Sequence, residues 1–129
     1  MIYHSGGQDF QGLEHAVRKT CANLREQLDM FDSIIVQGIS GQCVGFIVAL
    51  RLKKPILVLR KAYEDCHDVE SSDSPPTLIN KHAMGRRVLF LDDFVSNGRT
   101  YGRCAEAVKA HGGLLVGIYE YRHHTLVWK

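Results

Sequence analysis

The chain has 129 residues, 45% of them hydrophobic and 23% charged, with a formal net charge of +2. That is enough for one domain, residues 1–129, whose core needs no disulfide or structural metal, and the scattered, nearly balanced charge argues against nucleic acid or an anionic membrane as partner. No apolar run approaches a bilayer span, "MIYHSGGQDF" lacks the basic-then-apolar layout of a signal peptide, and the four cysteines keep no metal-ligand spacing, so they read as reduced thiols of a cytoplasmic protein.

In chain order, Leu13, Val17, Cys21, Leu24 and Leu28 recur at helical spacing and make one apolar stripe. "SIIVQ" (33–37) is a short β-branched run, read as a buried strand ending at Gly38. "QCVGFIVALRLKK" (42–54) reads as a helix, apolar almost all round and therefore expected to be sandwiched between layers. Pro55 stops it, and "ILVLR" (56–60) is a second strand. Residues 62–85 carry Asp, Glu, Ser and the Pro75-Pro76 pair without periodicity and read as one long loop of the kind that serves as a flap. "RVLFLD" (87–92) is a third strand, Thr100 to about His111 a helix ended by Gly112-Gly113, and "LLVGIYEY" (114–121) a fourth strand. "RHHTLVWK" is a tail or a short edge strand.

Strands that alternate with helices and are apolar on both faces predict an α/β fold with a mainly parallel sheet flanked by helices. In such sheets ligands bind beyond the carboxyl ends of the strands, where the strand order reverses. Two glycine-containing loops, after Gln37 and after Asp92, fall at carboxyl ends. If the first and third strands are neighbours, these loops face one another.

The second of them is the more informative. "VLFLDDFVSNGRT" (88–100) drives a buried strand into two aspartates, then into a small polar loop and a helix. The first turn of a helix offers N–H groups and a partial positive charge to a phosphate, Gly98 permits close approach, and Ser96, Asn97 and Thr100 add side-chain donors. Asp92 and Asp93 would repel that phosphate. They suit the vicinal hydroxyls of a sugar, or Mg²⁺. A phosphate site beside a diol site has the shape of a ribose 5-phosphate.

These thirteen residues resemble the signature of the type I phosphoribosyltransferases. The resemblance implies that Asp92 and Asp93 hold the ribose hydroxyls of phosphoribosyl pyrophosphate (PRPP), act in catalysis and contact a Mg²⁺ bound mainly through PRPP. It also implies that Ser96, Asn97, Gly98, Arg99 and Thr100 wrap the 5-phosphate. "VQGISGQCVG" (36–45) is similar to the family's pyrophosphate loop, with Gly38, Ile39, Ser40 and Gly41 offering backbone N–H groups; Ser40 and Gln42 stand where many members carry a cation or a glycine. By the same resemblance Ile39–Ser40 is expected as a cis peptide, Arg60 and Lys61 as pyrophosphate contacts, and 62–85 as a flap beneath a reduced hood. Trp128 or Tyr121 is a candidate for stacking on a base.

The implied activity is transfer of ribose 5-phosphate from PRPP to a nucleobase, a purine before a pyrimidine, with release of pyrophosphate, by a homodimer or higher homo-oligomer. The alternative is a non-catalytic module of the same fold that senses PRPP or a nucleotide. Two other readings fail on the residues. Gly38-Ile39-Ser40-Gly41-Gln42 lacks the last glycine of a serine nucleophile elbow, and a phosphorylated receiver domain would carry its acid pair after the first strand.

Overall fold

The computed structural model describes residues 10–60, 76–95 and 98–129. Its elements are α1 (Phe10–Leu24), a 3₁₀ segment (Arg25–Met30), β1 (Ser33–Val36), α2 (Ile39–Leu52), β2 (Ile56–Arg60), β3 (Thr77–Ile79), a 3₁₀ turn (Lys81–Ala83), β4 (Arg87–Asp92), α3 (Arg99–Ala110), β5 (Leu114–Glu120) and β6 (Thr125–Trp128). The strands form a sheet of order β3-β2-β1-β4-β5-β6. Its four inner strands are parallel, and β3 and β6 close the two edges antiparallel.

Side-chain alternation explains why both faces are covered. Ile34, Val36, Leu89, Leu91 and Tyr119 pack with Val17, Cys21 and Leu24 of α1 and Val44, Val48 and Leu52 of α2. Ile35, Leu57, Leu59, Val88 and Phe90 point the other way, toward Cys104 and Val108 of α3. The helices therefore sit two on one face and one on the other. α2 comes especially close: a β-carbon on Gly45 would lie 2.7 Å from Val36 Cγ1.

The register of β4 on β5 shifts between Val88 and Leu89, because Val116 is an extra residue. Val116 packs in the α1/α2 layer, and a side chain at Gly117 would meet Leu89 and the Trp128 ring on that same side. Such a bulge tightens the local twist and lets β6 fold over the sheet.

At the amino ends of the strands Asp32 ties β1 to β4. Its N–H donates to the Arg87 carbonyl (2.7 Å), and its carboxylate accepts from the Arg86 and Arg87 N–H groups and from Arg87 Nη2 (2.9 Å). The Arg87 side chain, helped by its N–H, pulls the Asp32 carboxyl down to about 2.

Four expectations change. α2 starts at Ile39, three residues early, so Ile39, Ser40 and Gly41 form its first turn and not a loop. It is not sandwiched: Ile39, Phe46 and Leu50 are exposed, because the sheet takes one face and α1 only a flank. Within 62–85, the stretch 77–79 is an edge strand on β2 and 81–83 a 3₁₀ turn; a three-residue strand is too short to show a period. Residues 61–75, which hold the rest of the expected flap, lie outside the described residues. The tail is β6. Among the described residues, no helix is long and apolar enough to cross a membrane.

Candidate active site

Each parallel strand ends in a polar group at the same edge: β1 runs into Gln37, β2 ends on Arg60, β4 on Asp92 and β5 on Glu120. The chain leaves β1 for β2 on one side and returns to β4 on the other, so strand order reverses between β1 and β4. The loops that follow these two strands therefore flank one crevice, the place where α/β sheets bind ligands.

The first turn of α2 meets the end of β4 directly. A β-carbon on Gly41 would lie 3.1 Å from the Leu91 carbonyl and 3.5 Å from Asp92 Oδ1. Glycine lets the first turn of α2 rest against the end of β4. The first helical bond of α2 runs from the Gln42 N–H to the Gly38 carbonyl (2.9 Å), and Gln42 Nε2 folds back onto the Gln37 carbonyl (2.8 Å). Gly38 caps the helix in extended conformation without a side-chain bond, leaving the helix end to face the crevice. The described residues hold no cis peptide, so Ile39–Ser40 is trans, contrary to expectation. With Ile39 and Ser40 already helical, the turn is made at Gly38.

The acid pair is held from the β5 side. The Tyr121 N–H donates to the Asp92 carbonyl (3.0 Å) and the Arg122 N–H to the Asp93 carbonyl (2.9 Å), which carries the ladder past the strand ends. Asp92 Oδ1 accepts the Asp93 N–H (2.8 Å). Burial raises the Asp92 carboxyl above its ordinary range; that N–H counteracts part of the rise, and the charges of Asp93 and Glu120 add to it. Asp93 is 6% exposed, with Arg122 Nη2 3.7 Å from Oδ2 and the Arg122 guanidinium over the Phe94 ring at 4.2 Å. Beneath Asp92 the Cys104 thiol is pushed up to about 12, first by burial and then by the Asp92 charge, and is therefore inert.

Past the acids, Glu120 Oε2 accepts the Val95 N–H (3.0 Å) and fixes the start of the loop. Gly98 closes it as the N-cap of α3 with φ +79°, a conformation that favours glycine. A small cleft lies here, lined by Phe90, Asp92, Phe94, Val95, Gly98, Thr100 and Tyr101. At this edge of the sheet lie Gly38, Ile39, Ser40, Gly41, Arg60, Asp92, Asp93, Gly98, Arg99 and Thr100, of which Asp92, Gly98 and Thr100 line the cleft. Lys61, Ser96 and Asn97 lie outside the described residues.

Sequence reading missed Glu120 and Gln37, and gave Tyr121 a different role. Tyr121 is 3% exposed, and its hydroxyl donates to the Ser40 carbonyl (3.1 Å), pinning the α2 turn to β5. Both polar atoms of the Gln37 side chain are buried without a partner. The signal was available: each of these residues ends an apolar strand at the ligand edge, as Arg60 and Asp92 do. Neither aromatic candidate is free to stack on a base. Tyr121 is buried, and Trp128 lies beside Phe31 (6.4 Å between rings) with Nε1 donating to Gln27 Oε1 (2.8 Å), opposite Gly117 and away from the crevice.

No family model matches the sequence, and neither does any curated protein. Solved structures do. Adenine phosphoribosyltransferase from Leishmania donovani superposes with a TM-score of 0.68 at 18% identity, over 88% of this chain and 53% of that one. The fold is that of the type I phosphoribosyltransferases. Orotate phosphoribosyltransferase from Aeropyrum pernix shares this phosphoribosyltransferase fold with a TM-score of 0.63 at 18% identity, over 87% and 58%. So does adenine phosphoribosyltransferase from Trypanosoma brucei, solved with AMP, pyrophosphate and ribose-5-phosphate, with a TM-score of 0.63 at 18% identity, over 85% and 52%. The chain spans little more than half the length of these phosphoribosyltransferases.

Proposed function

We propose that this protein transfers ribose 5-phosphate from PRPP to a nucleobase, a purine in preference to a pyrimidine, and releases pyrophosphate. The observation that carries the reading is the abutment of the first α2 turn on the end of β4 at the strand-order reversal, with Gly41 against Leu91 and Asp92. Neighbours named as adenine and orotate phosphoribosyltransferases support the reaction class.

In this reading the helix end at Gly38, Ile39, Ser40 and Gly41 binds the diphosphate, with Arg60 at the adjacent strand end and Lys61 after it. Gly98, Arg99 and Thr100, with Ser96 and Asn97, take the 5-phosphate at the start of α3. Asp92 and Asp93 accept hydrogen bonds from the ribose hydroxyls. A buried Asp92 charge flanked by Asp93 and Glu120 is unfavourable until hydroxyl donors or a cation reach it, so the acids fit a diol or Mg²⁺. Among the described residues no group of three His, Cys, Asp or Glu could cage a metal; in this reading Mg²⁺ would be held largely through PRPP oxygens. Bound there, Mg²⁺ would neutralise charge on the leaving diphosphate.

The chain's own work is positioning and charge stabilisation. As a base nitrogen attacks C1 and the C1–diphosphate bond breaks, positive charge develops on the ribose beside the acid pair. The α2 end and Arg60 stabilise the departing anion. Gln37, whose buried amide has no partner, is a further group for the ligand to meet. We also read the protein as a homo-oligomer of the cytoplasm.

Incubation with PRPP, Mg²⁺ and a panel of nucleobases, with nucleotide and pyrophosphate measured by mass spectrometry, tests the reading. A purine nucleotide is expected, and Asp92→Asn with Asp93→Asn should abolish it while leaving the circular dichroism unchanged. PRPP binding without product from any base would favour the second reading, a PRPP- or nucleotide-sensing module, which the Ser40 position, lacking a cation, favours.

A further inference from the structure

A buried amide follows β1. Gln37 comes directly after Val36 at the carboxyl edge of the sheet, and both polar atoms of its side chain are buried with no hydrogen-bond partner among the described residues. Its backbone is engaged: the carbonyl accepts from Gln42 Nε2 (2.8 Å), so the first turn of α2 holds the residue while the amide stays unused. Burying an amide without a partner destabilises a fold, and buried polar groups are almost always paired. A methionine fills nearly the same shape without a polar pair of atoms, so packing alone does not call for glutamine here.

Register indicates what the amide stands beside. β1 and β4 run parallel with Ile35 next to Phe90, and both pack toward Cys104 and Val108 of α3. Carried two residues on, the same register sets Gln37 next to Asp92, and alternation returns both to the α3 face. Asp92 lines the small cleft there with Gly98 and Thr100. Neighbouring strands lie about 4.8 Å apart, a spacing at which two side chains reach one small ligand.

The two groups complement each other. An ionised carboxylate only accepts hydrogen bonds, whereas an amide offers an N–H donor and a carbonyl acceptor side by side. One hydroxyl can donate to Asp92 and accept from Gln37 Nε2 while the hydroxyl next to it donates to Gln37 Oε1. That pair is a vicinal diol. It satisfies both amide atoms together with a carboxylate whose charge burial disfavours. A phosphate oxygen would satisfy the amide N–H alone and would meet Asp92 as a like charge.

We propose that Gln37 is a sugar-reading residue: its amide, beside Asp92, binds the vicinal hydroxyls of a ribose 5-phosphate and selects against the 2-deoxy sugar. This rests on the reading of the crevice as a ribose-phosphate site and names what that site discriminates. A ligand short of one hydroxyl leaves an amide atom buried and unpaired, so it is rejected more strongly than the loss of an exposed hydrogen bond would dictate. The free protein carries the unpaired amide as a lasting destabilisation, and the sugar relieves it.

Ligand-observed NMR titrations of the full chain with ribose 5-phosphate and with 2-deoxyribose 5-phosphate, on wild type and Gln37→Met, test this beside thermal melts of the free proteins. Wild type should bind the ribose compound about tenfold or more tighter than the deoxy compound. In Gln37→Met that preference should fall about tenfold, chiefly through weaker binding of ribose 5-phosphate. Without ligand, Gln37→Met should melt above wild type, the direction that an amide serving the fold would not give. A variant that melts below wild type or keeps the full preference would overturn the inference. So would a wild type without preference, or one that binds no ribose 5-phosphate at tens of millimolar. None of these results measures transfer: nucleotide made from PRPP by a protein indifferent to the 2-hydroxyl would keep the transferase reading and sink this one.

Discussion

Two aspartates at opposite ends of the sheet carry charge at opposite cost. Asp32, hydrogen-bonded by Arg87, has a carboxyl pulled down to about 2 from 3.8, so its stabilising contribution is present above 3.8 and is lost as pH falls toward 2. Asp92 is raised by burial, so the fold favours its protonated form; that contribution is present at low pH and lost as pH rises through the raised value. Thermal melts should therefore separate the two. Asp32→Asn should melt below wild type at pH 7, with the gap closing as pH drops through 3.8 to about 2. Asp92→Asn should melt at or above wild type at pH 7, because it removes an unfavourable charge while an amide oxygen can still accept the Asp93 N–H. A destabilised Asp92→Asn would mean that the acid serves the fold and not a ligand. The acid pair was legible in sequence because two carboxylates ending an apolar strand have no packing purpose. Glu120 was not singled out, and Tyr121 only as a candidate ring for stacking on a base, because alternation across "GIYEY" already accounted for them as ordinary strand residues.

At the scale of elements, glycines in α2 set where the first turn of that helix lies. Gly45 brings the helix onto Val36, and Gly41 brings its first turn onto the end of β4. Gly45→Ala inserts a methyl group 2.7 Å from Val36 Cγ1 and should cost about 1–3 kcal/mol in urea unfolding, by pushing the helix off the sheet. An unchanged midpoint would show that the helix gives way freely. The four inner strands were readable because they carry apolar residues on both faces, as a covered parallel sheet requires; β3, three residues long, was not. The placement of α2 was readable on one side only. Hydropathy marks a surface that avoids water, not what covers it, so the exposed stripe of Ile39, Phe46 and Leu50 reads in sequence like a covered one. The early helix start escaped because glycine and serine at 38, 40 and 41 read as loop, although Gly38 serves as the cap and the others lie in the first turn.

Across the whole molecule, topology does what no single segment announces. The strand order puts the β1 and β4 loops together although some fifty residues separate them in sequence, and right-handed crossovers made that pairing foreseeable. The residues expected to stack on a base turned out to close the core. β6 adds an edge strand, and its tryptophan packs against Phe31 where a base-binding aromatic had been expected. Under the proposed transferase reading, base recognition falls to groups other than these two rings.

The position of that ring has a practical consequence. Trp128 is the only tryptophan of the chain, and it lies over Gly117, three residues back from the carboxyl end of β5. Its emission should shift to longer wavelength when β6 peels away on unfolding, yet hold steady when pyrophosphate is titrated in. The indole is a native optical probe of folding that is blind to occupancy, so a spectral change on adding pyrophosphate would reveal a disturbance travelling well beyond the crevice.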